Sequence, residues 1–132
     1  MNHGILEAIA DPSRAAERLG ALVDEYRRGR DIHLLLPAME SEDEEIVSLA
    51  AWIVSEIPTD RYRDTEIVPR LRRLVRHRDA AVRCHAFVAI FPVLRAEEPD
   101  TRSLVDGLLQ DPSAAVRTAA RAADSQLFGR RN

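Results

Sequence analysis

The chain has 132 residues, 45% hydrophobic and 31% charged, with a formal net charge of −3. That is enough for one domain with a real core, too short for two, and too apolar for a disordered chain. The balanced charge excludes a whole-molecule pull toward nucleic acid or an anionic membrane.

All 19 cationic residues are arginines, read here as the coding bias of a GC-rich bacterial genome. The single cysteine, Cys84, excludes an intramolecular disulfide and a cysteine-built metal cluster, and it fits a reducing cytoplasm. The opening "MNHGILEAIADP" lacks the basic and apolar regions of a secretion signal. No run reaches the roughly eighteen apolar residues that span a bilayer, so the expectation is a cytoplasmic protein with no membrane partner.

In chain order, helices are predicted over 3–10, 12–28, 31–40, 42–57, 65–78, 80–95, 100–110 and 112–127. No β-alternating run competes with them. The first pair opens with "IADPSRAAERL". Before the fourth helix, "SEDE" has capping-box spacing from Ser41 to Glu44. In the fifth, Ile67, Val68, Leu71, Leu74 and Val75 form one apolar stripe, while Arg70, Arg72, Arg73 and Arg76 take other faces. Pro69 and Pro92 shift or kink their helices. Asp79 marks the start of the sixth, and in "DPS" Asp111 caps the eighth with Pro112 at its first position.

The helices repeat as pairs. "LVRHRDAAVRCHAFVA" from Leu74 returns 34 residues later as "LLQDPSAAVRTAARAA" from Leu108. Moving back 35 residues from Val82 brings Val47 of "EEIVSLAAWIV" into the same column. Met39, Leu74 and Leu108 then coincide, as do Ala51, Ala86 and Ala120. A weaker first copy matches through Asp11, Pro12 and Ser13, with Ala16 in place of the central valine. A period in the thirties marks a solenoid, because one such unit cannot bury its apolar face alone. The repeats span about 3–28, 31–57, 65–95 and 100–127 of a single domain, 1–132.

"DPSAAVRTAARA" (Asp111 to Ala122) and "RDAAVRCHAFVAI" (Arg78 to Ile90) resemble HEAT repeats, whose second helix opens with D-P-x-x-x-V-R and continues with spaced alanines. The last copy matches best. The third has "HRD" for the Asp-Pro pair, and the second has Ser48 where the arginine belongs. The resemblance implies an all-α, short right-handed α-solenoid of about four helix pairs. It also implies binding rather than catalysis, since HEAT-like proteins are chiefly protein-binding scaffolds. Others act on nucleic acid or serve as lyases, and small bacterial members include immunity proteins that block a toxin.

Chemistry is sparse. Cys84 beside His85 looks like a nucleophile and base, but adjacent helical residues point about 100° apart, and Cys84 aligns with Leu49 and Thr118 in ordinary packing positions. His3, His33, His77 and His85 include no metal-ligand spacing, and no glycine-rich phosphate loop occurs. Neither an enzyme nor a cofactor or metal site is expected.

The charges are segregated: Glu40 to Asp60 holds seven acidic residues and no arginine, and Arg61 to Arg83 holds eight arginines against three acidic residues. Either the two blocks neutralise each other and the helix ends, or one of them is a docking surface, the acidic ridge for a basic partner or the arginine row for phosphate or an acidic one. The second helices suggest a surface. Trp52 and Phe87 share a repeat column, and with Glu45 and Ser48 they are the predicted partner-binding residues on a concave wall. The expected partner is another protein, with a basic toxin domain as the specific form. The alternative is an enzyme-accessory or nucleic-acid-associated protein using Arg70, Arg73 and Arg76, within the Arg-rich block 61–83, as an anion site. Nucleic acid is disfavoured by the neighbouring acidic block and by few aromatics for stacking.

Overall fold

The computed structural model describes residues 3–129, and every regular element among them is helical. The helices are α1 (Ile5–Ile9), α2 (Ala15–Arg27), α3 (Leu35–Met39), α4 (Glu44–Ser55), α5 (Ile67–Leu74), α6 (Ala80–Ile90), α7 (Pro99–Leu109) and α8 (Ala114–Phe128). Short 3₁₀ turns fill Pro12–Arg14, Ile32–Leu34, Thr59–Arg61 and Phe91–Val93. Each predicted helix has its counterpart, usually shorter. α6 stops at Ile90 rather than 95 because Pro92 supplies no N–H, and the last turn tightens to 3₁₀. Pro69 leaves α5 intact, since it lies in the first turn where amides have no intrahelical partner.

The helix starts correct three expectations. Asp79 caps α6 as expected, accepting from the Val82 amide at 3.1 Å. The Ser41–Glu44 capping box does not form. Asp43 caps α4 through the Glu45 amide at 2.9 Å, and Ser41 Oγ instead accepts from the Asp43 amide at 3.0 Å. α8 is capped by Ser113, with Pro112 outside the helix, so Asp111 accepts from the Ser113 amide at 2.8 Å and keeps a face for another partner.

Consecutive helices pair as hairpins, and the second helices stack in the order α4, α6, α8. This is a short helical solenoid. The repeat columns are its core: Val47, Val82 and Val116 are buried, as are Met39, Leu74 and Leu108. Ala51, Ala86 and Ala120 are each fully inaccessible at 0%. Small side chains there let successive second helices approach closely, with larger apolar residues filling the space on either side.

The first pair departs from that register. Ala16, aligned with the buried valines, is exposed, and α2 buries Leu22, Val23 and Tyr26 instead. α1 rather than α2 makes the close packing on α4. The Asp-Pro-Ser likeness of the first copy reflects a shared turn start, with Asp11 capping a 3₁₀ turn through the Ser13 amide at 3.1 Å.

Polar staples lock unit to unit. Arg83 donates from Nε and Nη2 to both carboxylate oxygens of Asp111, each at 2.9 Å, and from Nη1 to the carbonyls of His77 and Arg78. One side chain thus joins the α5–α6 turn to the α7–α8 turn. Arg78 reaches back to Glu44 at 2.5 Å. Arg61 donates to the Tyr26 carbonyl in the last turn of α2 and to the Arg30 carbonyl just past it. The buried Tyr62 hydroxyl donates to the Ala89 carbonyl at 2.6 Å.

The Arg83 guanidinium beside Asp111 holds that carboxyl below its ordinary value of 3.8. A carboxylate depressed in the folded state stabilises fully above its unfolded value and loses that contribution as pH falls through the folded value. Asp111→Asn is therefore expected to cost about 3 kcal/mol at pH 7, as expected when one partner of a largely desolvated pair is removed. The gap to the parent should close as the pH is lowered below 3.8. Urea unfolding followed by circular dichroism across that range checks both.

Candidate functional site

α4 buries Ile46, Val47, Ala50, Ala51, Ile53 and Val54. That leaves Glu45, Ser48 and Trp52 on another stripe at helical spacing, with Glu56 at the C-cap. Glu45 is exposed, and Ser48 and Trp52 are half-buried. Because α2 is not closely packed on α4, a cleft of about 470 Å³ opens between them. Trp52 and Glu56 line one side, and Gly20, Val23, Asp24 and Arg27 the other. A Cβ added at Gly20 would meet nothing within 4 Å, so this wall is open.

Arg27 fixes the edge of the cleft. Its Nε donates to the Glu56 carbonyl at 2.8 Å and its Nη2 to the Glu56 carboxylate at 3.0 Å, with Asp24 at 3.7 Å. The indole is left with a free flank beside a polar rim, the arrangement in which an aromatic side chain anchors a partner. Glu45 and Ser48 lie nearer the start of α4 and do not line the cleft.

Phe87 departs from the expectation. Only 2% exposed, it belongs to the core, its ring 6.2 Å from that of Phe91. It shares a column with Trp52, but the neighbours differ: α4 and α6 form the most extensive helix pair, which encloses the α6 ring, whereas α2 leaves the α4 ring uncovered. Phe87 cannot offer a contact surface.

The arginines also regroup. Arg70 is half-buried and paired with Glu40, so it is not part of an open anion site. Arg73 lies 4.0 Å from the same carboxylate. Arg72, Arg73 and Arg76 instead line a separate cleft between α5 and α7. Part of the charge segregation is thus mutual neutralisation, through Glu40 with Arg70 and Glu44 with Arg78.

Cys84 is half-buried, and burial pushes its thiol up from 9.0, with Asp111 adding to the shift. The reactive thiolate is thereby disfavoured. Burial also lowers His85, which keeps its imidazole neutral. No group of three or more His, Cys, Asp or Glu placed to hold a metal occurs among the described residues, and no helix there is long and apolar enough to cross a membrane.

Reasoning on one helix at a time missed the α2 wall of the Trp52 cleft and the inclusion of Arg72. The adjacent small residues Gly20 and Ala21 were the available signal for the first, since they leave the α2 surface bare.

A family model described as HEAT repeats matches residues 32–123, more than two thirds of the chain. The match omits α1 and α2, the pair that breaks register. No curated protein and no solved structure matches the chain.

Gly20→Ala is expected to raise stability by roughly 0.5–1 kcal/mol, because it removes a helix-interior glycine and its methyl enters open space; chemical denaturation reads this directly. Alkylation of Cys84 by iodoacetamide at pH 7.5 should be about tenfold slower than that of an unhindered cysteine peptide, and should still be rising above pH 9.

Proposed function

The chain belongs to the HEAT-repeat family, whose repeats are generally protein-interaction modules, and we propose that it is a non-catalytic protein-binding module whose docking surface centres on Trp52. The observation that carries this reading is a half-buried indole at the wall of an open cleft, in a chain whose other large aromatic rings are mostly enclosed. A stack fixed by its own core loses little conformational entropy on docking, so a pre-formed cleft converts buried area into affinity efficiently. Glu45 and Ser48, on the same stripe of α4, extend the contact toward the helix start.

In its specific form, the module is an immunity-type inhibitor that occludes a basic toxin domain through the concave face of its second helices. Glu45, Asp24, Glu56 and Glu17 outnumber Arg27, the one cation lining the cleft, and give that side net acidic character. Such a surface steers a cationic partner and raises its association rate.

The test is co-purification with the product of an adjacent gene, followed by titration calorimetry. Trp52→Ala should weaken binding about 30-fold, or about 2 kcal/mol, as at an interface hot spot. Ala21→Trp, which fills the cleft from an exposed position, should do at least as much, and Glu45→Arg should slow association and reduce its salt dependence. The helical circular dichroism of each variant should match the parent. An affinity indifferent to all three substitutions would remove Trp52 from the interface, and a bound partner with undiminished toxicity would remove the inhibitor role.

A further inference from the structure

The second cleft has a different chemistry. It lies between α5 and α7, two first helices that are not closely packed on one another, and encloses about 430 Å³. That is within the size range of small-molecule sites. Arg72 and Arg73 lie in the last turn of α5 and Arg76 in the turn that follows it, and all three line the cavity. Like charges gathered around one cavity repel one another unless a counter-charge is supplied.

The protein supplies little of it. Arg72 and Arg76 have no carboxylate within ion-pair distance among the described residues, and Arg73 has only Glu40 at 4.0 Å, already engaged by Arg70. The one acidic lining residue is Asp100, in the first turn of α7, where its charge serves the helix dipole. Three guanidinium groups against one carboxylate leave two positive charges. Ser103 adds a hydroxyl, and the half-buried Leu104 gives an apolar surface.

We propose that the α5–α7 cleft, lined by Arg72, Arg73, Arg76 and Ser103, binds a small phosphomonoester. The dianionic phosphate would accept from the guanidinium groups and an apolar or aromatic body would rest on Leu104. Guanidinium forks match phosphate oxygens in pairs, which a dispersed surface charge does not do. The site is independent of the Trp52 cleft, and a failure here leaves the protein-binding reading standing.

Phenyl phosphate is the probe, titrated into the full chain by calorimetry, with phenol and a ten-residue thymidine oligonucleotide as comparisons. Saturable binding of phenyl phosphate is expected, with phenol at least tenfold weaker. Arg72→Gln with Arg76→Gln should weaken it tenfold or more. Arg63→Gln with Arg95→Gln, which removes the same charge from exposed positions elsewhere, should change it less than twofold. Circular dichroism confirms that both double variants fold. The proposal fails if phenyl phosphate does not saturate, if phenol binds as well, or if the two double variants weaken binding equally. It also fails if the oligonucleotide binds more tightly than phenyl phosphate with a steep salt dependence, which would mark a general polyanion strip.

Discussion

The structure depends on a packing constraint: no single hairpin of this chain can bury its own apolar face, so each second helix must be covered by the next. The α4–α6 and α6–α8 contacts meet that need through alanines at 51, 86 and 120, which bring helices together, and valines at 47, 82 and 116, which fill the space beside them. Burial at these columns is near complete, and a cavity or an oversized side chain there would be felt by two units at once. Stability in such an array is the sum of unit and interface terms, so the interfaces decide whether the stack stands.

Directional bonds then fix the spacing that the apolar columns leave adjustable. Arg83 joins two inter-helix turns by a bidentate pair and two carbonyl contacts, and Arg61 and Tyr62 satisfy backbone carbonyls in neighbouring units. These groups couple turn geometry to stacking. Where the arginine column is interrupted by Ser48, Arg78 and Glu44 bridge the same pair of units from a different position.

Both clefts arise where two helices do not close on one another. α2 leaves the register, so Trp52 is uncovered; α5 and α7 do not pack closely on one another, and the arginines at the end of α5 face a gap. Regular stacking buries a position, and irregular stacking offers it to a partner. This is why two residues in one repeat column, Trp52 and Phe87, have opposite fates.

The family and the all-helical stack were legible in the sequence because both follow from local periodicity: apolar residues at helical spacing, repeated every 34 or 35 residues, with turn residues between. Asp79 as a cap and Trp52 as a partly exposed ring were legible for the same reason. The enclosure of Phe87, the diversion of Arg70 to Glu40, the role of Asp111 as a staple and the α2 wall of the cleft were not. Each is decided by how closely one helix lies against another, and the closeness of helices distant in sequence is a property of the packed chain as a whole. Sequence determined which face of each helix is apolar; tertiary structure alone determined which of those faces found a cover.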